Sequence, residues 1–468
     1  MTELLVRGVD LDGRRVDVRC AAGVVRSVGA DLVPRRGETV LQGAAAVLPG
    51  LHDHHLHLLA MAAHADSVGL GPEVVASPDD LDRVLRAAAA ALAPGRWLRA
   101  VGFDEATGGP LDRWRLDRLV GDRPIRVQHR SGHLWVLNSA AGEAVGIEGG
   151  PATGVLRRPD GTPTGELVGG DAWLGDRLVP GAPPDLGAVS RRLAGFGVTG
   201  ITDATPVRTA AGWEVLAAAR RRGDVLQHLV VTGGVELAGS PAPEGVTLGP
   251  VKVMVDDGAL PTVEALAGWF ACAHRSGRPV AVHCVTRIAA VLTVAAWELV
   301  GARPGDRMEH GGVLPPDTVA QLAALGVTVV TQPSFVHDRG DRYLDEVEVA
   351  DLPFLYPCAG LLRAGVRVAG STDAPFGPDD PWLAVAAAVR RRTRGGAPIG
   401  PGEALDPPRA LGLFLSPPED PGGPARQVRP GAPADLCLLD VTVDRALAEP
   451  SAVRVVTTVV AGKVVYEA

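Results

Sequence analysis

"LPGLHDHHLHL", residues 48 to 58, sets four histidines and an aspartate between positions 52 and 57. Protonated, such a cluster repels itself; neutral and buried, it carries hydrogen-bonding capacity that has to be met. Alternate residues of a strand share a face, so Asp53, His55 and His57 point one way and His52 and His54 the other. Both faces hold an HxH pair, so alternation alone does not choose between them. Position does: His55 and His57 lie at the C-terminal end of the stretch, whereas His52 and His54 sit deeper, after Pro49-Gly50. His55 and His57 are expected as metal ligands, and Asp53 as the group that orients a ligand imidazole. His52 and His54 are expected to face helices as hydrogen-bonded structural residues.

Working outward, this run is the first of eight. "AVLPGLHDHHLH", "GVTGITDA", "VLQHLVVTGGV", "PVKVMVDD", "PVAVHCVT", "DRMEHGG", "GVTVVTQPS" and "GVRVAGSTDAP" follow one another. They alternate with Ala/Leu/Arg-rich stretches such as "PPDTVAQLAALG", whose apolar residues recur at i, i+3, i+4. The pattern predicts an α/β fold, a (β/α)₈ TIM-type barrel over 49–425. Residues of about 70–185 break the rhythm with Gly, Pro and Trp, and read as a lid-like insertion after barrel strand 1. The short alternating runs of 1–48 and 426–468 predict one small β-sandwich domain assembled from both termini.

Composition narrows the class. Hydrophobic residues make up 46% of the 468 positions and aromatics 4%, so the core is built from Ala, Val and Leu. No apolar run reaches the roughly 18 residues a membrane span needs, and "MTELLVRGVDLDGRR" lacks a basic-then-apolar leader layout. The five cysteines (Cys20, Cys272, Cys284, Cys358 and Cys437) are scattered, without a CxxC pair. A reducing, cytoplasmic setting is expected. A net charge of -8 without a basic stripe gives no case for nucleic acid. Of 46 basic residues only Lys252 and Lys463 are lysines. Arginine stays protonated, whereas lysine can become a neutral nucleophile. Lys463 lies in a terminal strand pattern and reads as structural; Lys252, in "GPVKVMVDDGAL", asks for a reason.

Barrel active sites lie where strands run into their following loops. There the sequence puts His55 and His57, Lys252, His283 in "AVHC", His310 in "MEHGG" and Asp373 in "STDAP". Imidazole and carboxylate donors suit zinc, iron or manganese. The alternative for Lys252 is a buried ion pair with Asp256 or Asp257.

"PGLHDHHLH" resembles the PG-x-x-D-x-HxH signature of the metal-dependent amidohydrolase superfamily, and "VAVHC", "RMEHGG" and "GSTDAP" occupy its later ligand positions in order. "GFDE", "RSGHLWVLNSAA", "GTPTGEL", "VKVMVDDG" and "VTQPSF" narrow the resemblance to the branch containing N-substituted formamide deformylase (amidohydrolase 3-type). The resemblance implies that His55, His57 and Asp373 hold the more buried of one or two divalent ions and that His283 and His310 hold the second. Zinc is the expected metal, with iron or manganese the alternatives. Lys252, carboxylated on its ε-nitrogen, would bridge the pair as N6-carboxylysine. A metal-activated hydroxide would then attack an amide carbonyl, with Asp373 as general base and then general acid. Arginine cannot form a carbamate, which accounts for the lysine at 252.

The expected reaction is hydrolysis of a C–N bond in a small molecule, for instance deacylation of an N-formyl or N-acyl amine. The alternative on the same metal site is a cyclic amide hydrolase or ring deaminase. His133 and Trp135 of the insertion, with Gln332 and His337 after the seventh strand, are the candidates for the substrate pocket; a plain loop histidine is the alternative for His133. Trp97, Trp114 and Trp135 read more simply as the insertion's own small core. The chain departs from the branch in two places. "HCVTRIAA" replaces the usual Gly-Asp after His283 and brings Arg287 close, where it could pair with a substrate carboxylate. The loop after "VDDGAL" is also short. A homodimer is the default assembly.

Overall fold

Every residue from 51 to 56 is buried, as in a strand covered on both faces by an α/β architecture. In the computed structural model, which describes residues 3–93, 95–150, 154–178, 184–207 and 209–468, this strand, β1 (Leu51–Leu56), opens an eight-stranded parallel sheet. The remaining strands are β2 (Val198–Val207), β3 (His228–Gly233), β4 (Val246–Met254), β5 (Val280–Cys284), β6 (Arg307–His310), β7 (Thr328–Thr331) and β8 (Val368–Gly370). They pair strictly in chain order. They are the eight runs picked out in the sequence. The ring is drawn shut just past β8, where the Asp373 N–H donates to the His55 carbonyl and the His57 N–H to the Ala374 carbonyl, both at 2.8 Å.

Helix α1 (Leu186–Gly195) leads into β2 and α2 (Ala210–Arg222) leaves it. The helices α3 (Val263–Arg275), α4 (Arg287–Val300) and α5 (Pro316–Leu325) follow β4, β5 and β6. Next, α6 (Cys358–Arg363) precedes β8 and α7 (Pro381–Arg390) follows it. Local sequence explains their ends. Hydroxyls of Thr209, Thr262 and Thr286 accept backbone N–H groups in the first turns of α2, α3 and α4. Gly326 takes the left-handed conformation that ends α5. The alternation is not fully regular: the link from β3 to β4 carries only the short 3₁₀ turn Val235–Leu237.

By contacts the chain divides into two compact units, 1–58 with 186–468, and 59–185. In the first, strands from both termini join one eight-stranded mixed sheet, stitched where Ala46–Pro49 runs antiparallel to Leu436–Leu439. Its apolar face buries Leu4, Val6, Val18, Val47, Leu436 and Val459. The terminal strands cluster with the barrel in this one unit. The second unit begins at Leu59 rather than near 70, because the chain leaves the barrel directly after β1. It has its own six-stranded sheet and a core around Leu81, Leu85, Leu98 and Phe103. Among the described residues, no helix is long and apolar enough to cross a membrane.

Candidate metal centre

The histidines of β1 sort by face. His52 Nε2 lies 2.9 Å from Thr202 Oγ1, and His54 Nε2 lies 2.9 Å from Ser416 Oγ. Both rings are fully buried, and burial holds both well below the ordinary histidine range, so they pack as neutral imidazoles. The space for His52 exists because residue 200 is glycine: a Cβ there would stand 2.3 Å from His52 Nδ1.

The opposite face looks into the barrel. His55 Nδ1 is hydrogen-bonded to Glu309 Oε2, and its Nε2 lies 3.4 Å from Asp373 Oδ1. His57 Nδ1 lies 3.1 Å from Thr205 Oγ1, and its Nε2 is 3.1 Å from the same Asp373 oxygen. Ligand atoms of His55, His57 and Asp373 all fall within 4.8 Å of one another. His310 Nδ1 lies 2.9 Å from Gln332 Oε1, while its Nε2 is 2.9 Å from His283 Nδ1. Asp373 Oδ2 is 3.9 Å from His310 Nδ1. His310 and Asp373 have φ of 70° and 55°, left-handed values uncommon outside glycine. Strain of this kind persists only where the surroundings over-determine it.

Lys252 lies on β4, its Nζ buried and, among the described residues, without a hydrogen-bond partner. Burial lowers its proton affinity, partly opposed by Glu309 and Asp373, so the neutral amine is favoured relative to a free lysine. The same burial, with the charge of Lys252 next in weight, keeps the His55 imidazole well below its usual range. Burial pushes the Asp373 carboxyl toward its neutral form, but the hydrogen bond with His57 and the charges of His55 and His310 outweigh it, and Asp373 titrates below the ordinary range. His55 Nε2 is likewise buried without a hydrogen bond. A divalent cation suits this donor set: convergent imidazole nitrogens, a carboxylate and a buried amine, with two of those nitrogens lacking partners.

The structure places the other expected site residues as follows. Among the described residues Asp53 bonds to no imidazole; it accepts the N–H groups of His55 and Thr372, at 3.1 Å each, and the Thr372 hydroxyl. It therefore ties β1 to the segment that carries Asp373. Gln332 is fully buried, and its amide is divided between His310 and Ser371 Oγ. Arg287, the first residue of α4, is ion-paired with Asp351. His337 is exposed, with its ring 3.2 Å from the Arg392 carbonyl. Trp135 is buried in the core of the 59–185 unit, with Trp97 packed beside it, and Arg158 lies over Trp114. His133 is exposed in that same unit.

Sequence reasoning missed Glu309 and Thr205, the two groups that meet Nδ1 of His55 and His57. Strict alternation puts Glu309 on the face opposite His310, which hid it. The available signal was a pair of charges, Arg307 and Glu309, two apart in a strand otherwise fit for burial.

A model of the amidohydrolase family matches residues 41–466. N-substituted formamide deformylase from Arthrobacter pascens is 27% identical, with 100% of this chain and 99% of that protein covered. The putative amidohydrolase YtcJ of Bacillus subtilis (strain 168) is 26% identical over 77% of this chain and 76% of its own. Among solved structures, an uncharacterized metal-dependent hydrolase from Pyrococcus horikoshii OT3 superposes with a TM-score of 0.74 at 20% identity, covering 94% of this chain and 97% of that one. N-isopropylammelide isopropylaminohydrolase from Burkholderia multivorans superposes at 0.55 with 19% identity, covering 100% and 99%. These two structures share the fold.

Proposed function

The chain belongs to the amidohydrolase family, whose members act on carbon–nitrogen bonds other than peptide bonds, and we propose that it hydrolyses a linear amide, an N-formyl or N-acyl amine. The observation that carries the reading is the convergence of His55, His57 and Asp373 beside the buried, unpartnered amine of Lys252. The end-to-end similarity to N-substituted formamide deformylase supports the choice of substrate class.

His55, His57 and Asp373 would hold one divalent ion, most naturally zinc. His283 and His310 would hold a second, and Lys252, carboxylated, would contribute an oxygen to each. Bound there, the ions supply an activated water and polarise the carbonyl. The chain's own residues do the rest. Thr205 and Gln332 occupy Nδ1 of His57 and His310, which leaves Nε2 of each ring for ligation. Asp373 takes the proton released as water adds to the carbonyl carbon and delivers it to the departing nitrogen, so that the amine leaves neutral. Its lowered proton affinity keeps it ionised, the form that can accept a proton. His55, Lys252, His310 and Asp373 are buried, whereas His57 and His283 are partly exposed, on the side from which water and substrate would reach the site.

The test is metal content per chain by mass spectrometry on protein purified without chelators, compared with Lys252→Ala, followed by a screen of N-formyl and N-acyl amines against cyclic amides. Two ions per chain, a sharp fall in the variant and turnover of linear amides are expected. A single ion indifferent to the substitution would remove the bridge, and turnover confined to rings would overturn the substrate class.

A further inference from the structure

We propose that Glu309, anchored by Arg307, is the positioning residue for His55, fixing the tautomer whose Nε2 lone pair faces the metal. The inference deepens the metal-hydrolase reading above and rests on it.

Arg307 and Glu309 lie two apart on β6 and share its inward face. Both are buried, at 2% and 0% exposure. One Glu309 oxygen meets His55 Nδ1, and the other lies 2.6 Å from Arg307 Nε. In the sheet β1 neighbours only β2 and, by closure, β8. Its contact with β6 therefore crosses the barrel interior, where a charged group costs several kcal/mol unless paired, as an order of magnitude. Arg307 supplies the countercharge, which accounts for a basic residue so deep in the barrel.

Neutral imidazole has one N–H, and a carboxylate can only accept it. Glu309 therefore takes Nδ1–H, and His55 Nε2 is left with its lone pair. The surroundings of Nε2 agree. It is buried and, among the described residues, has no hydrogen-bond partner, as a lone pair left for a cation requires. His57 and His310 present their Nδ1 to a neutral hydroxyl and a neutral amide. Of these three rings, His55 is the one whose Nδ1 is hydrogen-bonded to a carboxylate, the arrangement that fixes the tautomer and orientation of a ligating imidazole.

A plain structural ion pair predicts something different. Replacing a buried pair by uncharged groups of similar size is often neutral or stabilising, and it would leave the imidazole and the metal affinity as they were. Two readouts separate the cases, both on the full-length chain. Ring ¹⁵N spectra of metal-free protein, with His55 identified from His55→Asn, are expected to show Nδ1–H in the native chain and a mixed tautomer in Glu309→Gln. Zinc affinity by chelator competition is expected to weaken roughly tenfold to a hundredfold in Glu309→Gln. Glu309→Asp, which keeps the charge but retracts it, should weaken zinc too. Because Glu309→Gln leaves Arg307 uncompensated, the double variant Arg307→Met, Glu309→Gln keeps the interior neutral; it should fold and still show the loss. Native His55 protonated on Nε2, or zinc affinity in the double variant equal to native, overturns the proposal. A native protein that binds no zinc overturns the metal-hydrolase reading instead, and the tautomer still decides the role of Glu309.

Discussion

Lys252 concentrates the chemistry into one side chain. Its surroundings are arranged for an amine without a proton: burial lowers its proton affinity, and no hydrogen-bond partner meets Nζ among the described residues. Carbon dioxide adds only to a neutral amine, so carboxylation should follow the unprotonated fraction, which falls as pH falls. Metal-free protein supplied with zinc and bicarbonate is expected to regain activity more completely at pH 8 than at pH 6. Lys252→Arg should not recover at either pH, because a guanidinium cannot form the carbamate. Equal recovery at both pH values would assign Lys252 a purely structural part. Asp373→Asn keeps the shape of the side chain but removes the proton acceptor. It should lower kcat by roughly 10²- to 10⁴-fold, with zinc retained by the histidines as measured by metal content. Retained turnover would move the proton role elsewhere. In the sequence, the candidate ligands at positions 55, 57, 252, 283, 310 and 373 stand out because each lies at the end of an apolar run. The partners of their other nitrogens do not, since Glu309 and Thr205 reach His55 and His57 from 254 and 148 residues away.

At the scale of elements, the segment from β8 to α7 joins the site to the barrel's outer layer. Asp380 caps α7, its carboxylate accepting the Trp382 N–H at 2.8 Å. Burial, with the neighbouring charge of Asp379 adding to it, raises this carboxyl to about 6. A folded value above the unfolded one means that the folded state holds the proton more tightly. The associated stability is present at low pH and is lost as pH rises through about 6. Asparagine caps as well as aspartate, so Asp380→Asn should leave stability near pH 4 unchanged and raise it at pH 8. After discounting for partial exposure, the gain is about 1 kcal/mol. Thermal melts at the two pH values check this; an equal shift at both would show that ionisation is not the cause. Threonines cap α2, α3 and α4, and a glycine ends α5, so these helix ends have local causes. The absence of a helix between β3 and β4 has no such mark in the sequence, because "VELAGSPAPEG" carries no periodic pattern that would separate a short turn from a longer crossover.

For the whole molecule, every proposed ligand belongs to the unit of residues 1–58 and 186–468, and none to 59–185. A cation that binds only the folded form stabilises by mass action. Chelation should therefore lower the calorimetric transition of the larger unit and leave that of 59–185 in place; a common shift of all the heat absorption would mean that the two melt as one. The sequence by itself determined the barrel, its strand order and the residue types of the candidate metal centre. Strand burial is recorded locally in apolar runs, and in a parallel barrel chain order becomes spatial order. Only the tertiary structure decided that Asp53 fastens the strand ends instead of an imidazole, that Gln332 orients His310, and that Glu309 on β6 meets His55 on β1. Those assignments depend on which side chains meet across the closed interior, and neither periodicity nor spacing along the chain carries that distance.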